Sequence, residues 1–217
     1  MPFPVTRSTA LSIGSPLASG KLQSLYGETM LFADFRGTGG NDRLLGSEQD
    51  DVLFGYNGND VLIGGGGDDI LRGGGGGGAD VLRGGNGDDT LYGGDGNDRL
   101  IGGRGLDVMT GGAGADLFVF TELAYDWDRY DTISDFSGTQ GDRIDLSAID
   151  AVIGGADDPF AFLGTQEFTG VAGQVRVHYN ANQDTTFILF DMDGDRTHDF
   201  AVGLNGQVDL TANDFVL

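Results

Sequence analysis

The chain has 217 residues, with 34 Asp and Glu against 12 Lys and Arg and a net charge of −22. That length allows one domain of ordinary size or two small ones. The charge balance excludes nucleic acid and an anionic membrane as partners, because both require a positive surface. Cysteine is absent, so disulfides and thiolate metal sites are excluded as well.

Taken from its start, M-P-F-P-V-T-R-S-T-A-L-S-I-G lacks the basic start and apolar core of a secretory signal peptide. No apolar stretch approaches the roughly 18 residues that span a bilayer, and no membrane insertion is expected. Residues 1–36 are too few for a catalytic domain. Their L-Q-S-L-Y and M-L-F-A-D-F read as a short helix or strand capping the first coil of the region beyond Arg36.

From Gly37 the chain divides into repeats of nine residues: GTGGNDRLL, GSEQDDVLF, GYNGNDVLI, GGGGDDILR and, after a run of glycines, GGNGDDTLY, GGDGNDRLI, GGRGLDVMT, GGAGADLFV. The pattern is G-G-x-G-(N/D)-D-x-U-x, with U apolar. Position six holds Asp42, Asp51, Asp60, Asp69, Asp80, Asp89, Asp98, Asp107 and Asp116. Position eight holds Leu44, Leu53, Leu62, Leu71, Leu82, Leu91, Leu100, Met109 and Phe118.

The glycine-rich half of each repeat can bend tightly, since glycine tolerates positive φ and leaves its carbonyls uncovered. The x-U-x half alternates outward, inward, outward, as a short strand with one buried side chain does. Two repeats make a coil of 18 residues, so strands stack in two parallel sheets with the U residues between them. One apolar residue per repeat is a thin core against an ordering entropy of roughly 1–2 kcal/mol per residue. A hard cation held by carbonyl and carboxylate oxygens supplies the rest. A pliable oxygen-lined turn suits calcium better than magnesium, which demands stricter octahedral geometry and keeps its waters.

These repeats resemble the RTX calcium-binding nonapeptide, and the resemblance implies an all-β fold, a parallel β-roll. In that family each ion sits between turns one coil apart, held by position-six carboxylates and by carbonyls around positions two and four. Carried over, the carboxylates are the nine aspartates named above. The carbonyls are those of Gly40, Gly58, Gly65, Gly67, Gly76, Gly78, Gly85, Gly87, Gly94, Gly96, Gly103, Gly105, Gly112 and Gly114. One edge stacks Asp42, Asp60, Asp80, Asp98 and Asp116, the other Asp51, Asp69, Asp89 and Asp107, which gives seven inter-turn sites for Ca2+. Seven divalent ions would bring the net charge from −22 to −8.

The repeats are unequal. Ser47, Glu48 and Gln49 replace residues that help the bend, so a weaker or distorted site is expected at Asp51. Thr38 stands at position two of the first repeat, and Leu106 and Ala115 replace the polar residue at position five. The run Gly73 to Gly78 resembles a linker, yet Asp69 to Asp80 is 11 residues and Val81-Leu82-Arg83 resumes the strand in phase. It is read as a two-residue insertion in one turn that stretches each edge to 20 residues once, with the weakest of the well-formed sites beside Asp80.

From Phe120 glycine thins and aromatic residues accumulate; Gln174 to Tyr179 and Thr185 to Phe190 read as strands of a β-rich C-terminal cap. The predicted organisation is a capping segment (1–36), a roll (37–119) and a cap (120–217). G-G-A-G-A-D-L-F-V-F (111–120), D-T-I-S-D-F (131–136), G-D-R-I-D-L-S-A-I-D-A (141–151), D-M-D-G-D-R-T-H-D-F (191–200) and L-T-A-N-D-F-V-L (210–217) resemble the C-terminal region of serralysin-type secreted proteases. That resemblance implies a type I secretion signal in the N-D-F-V-L ending, an ABC transporter as partner and an extracellular location.

Asp191, Asp193, Asp195 and Asp199 fall at positions 1, 3, 5 and 9 of an EF-hand-like spacing, but the glycine is misplaced and position 12 carries no acid. Either a further calcium or an Asp-Gly β-turn accounts for them. Neither H-E-x-x-H nor G-x-S-x-G is present, and no enzymatic activity is expected. His178 and His198 read as ordinary strand or turn residues, and Trp127 as a ring on a loop. Two other readings stay open. The chain is the folding and export portion of a larger secreted hydrolase, or an extracellular adhesin or matrix protein. The outward residues Arg43, Val52, Val61, Ile70, Val81, Thr90 and Arg99 form no repeated ladder that would support the latter.

Overall fold

A computed structural model describes residues 33–122, 129–152 and 158–217. The capping elements read before Ala33, and Trp127, lie outside these residues. Twelve short strands come first: β1 (Ala33–Arg36), β2 (Arg43–Leu45), β3 (Asp51–Tyr56), β4 (Val61–Gly66), β5 (Ile70–Gly74), β6 (Val81–Asn86), β7 (Thr90–Asp95), β8 (Arg99–Arg104), β9 (Val108–Ala113), β10 (Leu117–Val119), β11 (Asp131–Ile133) and β12 (Arg143–Asp145). They alternate between two sheets. One has the order β1-β3-β5-β7-β9-β11 and the other β12-β10-β8-β6-β4-β2, every pairing parallel. The architecture is all-β, a parallel β-roll, with no α-helix among the described residues.

Several strands are six residues long rather than the three of x-U-x, because they run on into the first glycines of the next repeat. Those glycines pair across coils, as Gly65 with Gly85 and Gly85 with Gly103. The U residues stack between the sheets: Leu53, Leu62, Leu71, Leu82, Leu91, Leu100, Met109 and Phe118 are fully buried. The glycine run does not divide the chain. Val61 pairs with Val81 and Ile70 with Thr90, a step of 20 residues on each edge, and the next steps return to 18 (Val81 with Arg99, Thr90 with Val108).

Both sheets cross the boundaries read from the sequence. Strand β1 pairs with β3 at the N-terminal side, and β11 and β12 extend the two ladders past residue 119. The remaining strands are β13 (Ala161–Phe162), β14 (Gln174–Asn180), β15 (Thr185–Asp191), β16 (Phe200–Asn205) and β17 (Phe215–Val216). Strands β14, β15 and β16 form an antiparallel meander joined to the roll through the parallel β16–β11 pair, while β17 adds to the other sheet beside β12. The cap closes the core with several phenylalanines, where the roll stacks leucines. Phe160 meets Phe190 edge to face at 5.3 Å, and Phe162 lies 5.1 Å from Phe215.

Candidate metal centre

The turns at each edge of the roll are built by glycine in conformations that other residues rarely adopt. Apart from Gly40 and Gly78, the position-two and position-four glycines have positive φ, from +91° at Gly67 to +143° at Gly96. A methyl group on them would overlap the coil before: on Gly85 the carbonyl oxygen of Gly65, on Gly94 that of Gly74, on Gly103 that of Gly85, on Gly112 that of Gly94. At position four the same holds for Gly78 over Gly58, Gly87 over Gly67, Gly96 over Gly78, Gly105 over Gly87 and Gly114 over Gly96. Each edge therefore carries two columns of carbonyl oxygens aimed along the roll. In the expanded repeat Gly74 takes position two and Gly78 position four, while Gly76, a ligand by sequence spacing, sits in the bulge against Asn57.

The position-six aspartates form a column beside these carbonyls. The Oδ1 of each accepts a hydrogen bond from the backbone N–H of the aspartate one coil earlier: Asp60 from Asp42 at 2.7 Å, and Asp69 from Asp51, Asp80 from Asp60, Asp89 from Asp69, Asp98 from Asp80 and Asp116 from Asp98 at 2.8 Å. Asp107 accepts in the same way from Asp89 at 2.9 Å. Their Oδ2 atoms point back over the position-one glycine, where a methyl on Gly64, Gly84, Gly102 or Gly111 would collide with Asp69, Asp89, Asp107 or Asp116. The Oδ2 atoms of Asp60, Asp69, Asp89, Asp98, Asp107 and Asp116 are buried and accept no hydrogen bond from the protein. An unpartnered buried carboxylate oxygen is costly. Removal from water accordingly raises these carboxyls, to about 6 at Asp60, Asp107 and Asp116, about 7 at Asp69 and Asp98, and about 8 at Asp89. The backbone hydrogen bond opposes that shift. Burial raises Asp80 as well.

Two further aspartates belong to the columns. Asp131 Oδ1 accepts from Asp107 N at 2.9 Å and Asp142 Oδ1 from Asp116 N at 3.0 Å, both buried and both raised by desolvation. A period of nine does not reach them, because their spacings of 24 and 26 residues break it. The sequence signal is nonetheless present: D-T-I and D-R-I keep the aspartate two places before a buried isoleucine.

The polar residue at position five does not serve its own turn. Asn41, Asn59 and Asn97 accept from the backbone of Asn59, Ala79 and Ala115 one coil on, and Asp50, Asp68 and Asp88 from Asp68, Asp88 and Leu106. Coils are thus stitched in both directions. In the first coil the aspartates are held differently: Thr38 donates to Asp42 Oδ2 through its N–H (2.6 Å) and hydroxyl (2.8 Å), and Ser47 to Asp51 Oδ2 in the same way (2.7 and 2.8 Å).

In the cap, Asp191, Asp193 and Asp195 bring carboxylate oxygens within 4.8 Å of one another. Asp199 does not join them; its Oδ2 accepts from Met192 N at 2.7 Å. The three are bound up in local turns, Asp191 accepting from Gly194 N (2.7 Å) and Asp195 from the Thr197 N–H and hydroxyl (2.7 and 2.6 Å). His178 lies exposed on β14, remote in sequence from both columns.

The donor set is oxygen throughout, carboxylate and carbonyl, arranged in repeating clusters with a buried oxygen left over in each. Hard divalent cations take such sets, and the residues present fit calcium. Residues 28–217 match the family described as Peptidase M10 serralysin C terminal. The chain belongs to that family. The match is to the C-terminal repeat region and not to a catalytic domain, and serralysin C-terminal domains of this RTX type are calcium-binding modules of secreted proteins. Among solved structures, the AlgE6R2 subunit of the Azotobacter vinelandii mannuronan C5-epimerase is 25% identical over 84% of this chain and 91% of its own, at a TM-score of 0.45. The AlgE6R3 subunit of the same epimerase is 23% identical over 87% and 80%, at a TM-score of 0.35. No curated protein matches. Among the described residues no helix is long and apolar enough to cross a membrane.

Proposed function

We propose that this member of the serralysin C-terminal family is a secreted calcium-binding β-roll that folds when it meets calcium outside the cell. The observation that carries the reading is the column of buried, unpartnered Oδ2 atoms beside stacked carbonyl oxygens. Asp60, Asp69, Asp80, Asp89, Asp98, Asp107 and Asp116 hold the ions with the position-two and position-four carbonyls, and Asp131 and Asp142 end the two columns on the cap side. Bound calcium supplies the positive charge that these carboxylates lack. The chain's own part is to converge the oxygens, exclude water from them and align successive coils.

At the low calcium of the cytosol, repulsion within a −22 chain and one apolar residue per repeat leave the roll without enough stabilisation to fold. Extracellular calcium modules have Kd values on the order of 10⁻⁴–10⁻³ M, so binding outside the cell supplies the folding free energy. Export runs through a type I ABC transporter that reads the N-D-F-V-L ending. The placement of Phe215, buried in β17 against β12, supports this order of events. A transporter can read that segment only before the chain folds.

Circular dichroism in chelator at pH 7.5, followed by calcium addition, tests the reading. The expected result is a coil-like spectrum that becomes β-rich cooperatively, with several ions bound per chain. A β-rich spectrum indifferent to chelator rejects it. The family description favours a second reading, in which the chain is the folding and export portion of a larger secreted peptidase. An H-E-x-x-H domain upstream in the same reading frame would decide for it.

A further inference from the structure

Successive coils meet through aspartate pairs throughout the roll, but the first coil is built otherwise. At each later interface the carboxylate Oδ2 is free of donors or lies in a turn whose position-four carbonyl faces the next coil. At the first interface both donors are withdrawn. Asp42 Oδ2 is taken by the N–H and hydroxyl of Thr38, and Asp51 Oδ2 by those of Ser47.

The position-four carbonyls have turned as well. A methyl on Gly58 would meet the carbonyl carbon of Gly40 at 2.6 Å and the nitrogen of Asn41 at 2.9 Å, with the Gly40 oxygen no closer than 2.9 Å. A methyl on Gly67 would meet Asp50 N and the carbonyl carbon of Gln49, while the Gln49 oxygen is not among its nearest atoms. Later position-four glycines face an oxygen first. One group explains both differences. The Thr38 hydroxyl that donates to Asp42 also accepts from Gly40 N at 3.2 Å, and the Ser47 hydroxyl accepts from Gln49 N at 3.3 Å. Each hydroxyl thereby holds the peptide just before position four, and the position-four carbonyl that follows it stands off the column.

We propose that the first coil, Gly37–Phe54, closes onto the second without a cation, the Thr38 and Ser47 hydroxyls standing where an ion stands further along. The inference rests on the calcium reading for the later coils. Calcium uptake therefore starts at the second coil. The first coil is a metal-free end of the roll, its two strands paired with β4 and β5 with no ion between the turns. Position two sets which turns take an ion: glycine, or Tyr56 at φ +80°, leaves the carboxylate oxygen open, and a short hydroxyl residue that reaches it replaces the ion.

The test is the calcium stoichiometry of the whole chain by native mass spectrometry and equilibrium dialysis. Thr38→Gly restores G-G-G-G-N-D at residues 37–42 and is expected to bind one ion more than the wild type. Asp42→Asn with Asp51→Asn, which keeps an acceptor for each hydroxyl, is expected to leave the wild-type count unchanged, whereas Asp89→Asn lowers it. A loss of ions from the Asp42→Asn, Asp51→Asn variant overturns the proposal, as does an equal count for wild type and a folded Thr38→Gly variant. Should Thr38→Gly fail to fold, the asparagine variant decides alone. A wild-type chain that binds no calcium at all rejects the calcium reading itself, a different result from equal, non-zero counts.

Discussion

At the scale of the residue, glycine and aspartate divide the work of each turn. The glycines at positions two and four admit positive φ and leave room for a carbonyl oxygen from the coil before; the aspartate is pinned through one oxygen and leaves the other unpartnered. Two glycines separate the conformational demand from the steric one. Gly77, in the bulge, has φ +77° and nothing within 4 Å of an added methyl, whereas Gly94 has φ +115° and faces the Gly74 carbonyl. Gly77→Ala is expected to cost about 1 kcal/mol, from backbone strain alone. Gly94→Ala is expected to cost about 3 kcal/mol or more, because it adds a backbone collision to that strain. Thermal unfolding in saturating calcium measures both, and equal losses would refute the crowded carbonyl column.

At the scale of the element, a strand is a fixed quantity and a turn is an adjustable one. The expanded repeat shows the difference: two extra residues are absorbed at the turn, and Val81 still pairs with Val61 and Arg99. Deleting Gly76 and Gly77 is expected to change stability by no more than about 1 kcal/mol and to leave calcium binding intact, since loop-closure entropy changes slowly with length. Deleting Val81 alone shifts the strand by one residue, turns Leu82 out of the core and is expected to abolish calcium-dependent folding. Circular dichroism with and without calcium compares the two, and tolerance of the Val81 deletion would contradict the register described. The same adjustability explains why β11 and β12 are not legible as coils in the sequence. Their aspartates keep the D-x-U step, but the turns before them lengthen, so a search for a period of nine passes over them.

At the scale of the whole molecule, metal-free folding and pH are linked through the buried carboxyls. Asp69, Asp89, Asp98 and Asp131 are raised to about 7 or 8 and Asp60, Asp107 and Asp116 to about 6, first by burial, against about 3.9 for an exposed aspartate. A carboxyl raised in the folded state stabilises it fully below the unfolded value and ceases to do so as pH rises through the folded one. Without calcium the roll is therefore expected to be most stable near pH 4 and to lose structure between about pH 6 and 8. Calcium replaces the protons and is expected to restore the β-rich spectrum at pH 8. A chelator-treated chain more structured at pH 8 than at pH 4 would have the sign wrong.

The nonapeptide pattern alone specifies the roll: an aspartate and an apolar residue two places apart, in register nine times, define the two columns, the buried stripe and the parallel sheets. It also places the glycine run within the roll, because an insertion before position six leaves the strand in phase. Where the columns stop, and which oxygens remain available, emerges only in the folded chain. Asp131 and Asp142 enter through turns of irregular length, Gly74 rather than Gly76 holds position two, and Thr38 and Ser47 claim the oxygens of Asp42 and Asp51. One cause is common to all three. A nine-residue pattern specifies which groups arrive at an edge, but the partner of each oxygen comes from a coil 18 to 26 residues away or from a side chain's choice of rotamer, and a local period encodes neither.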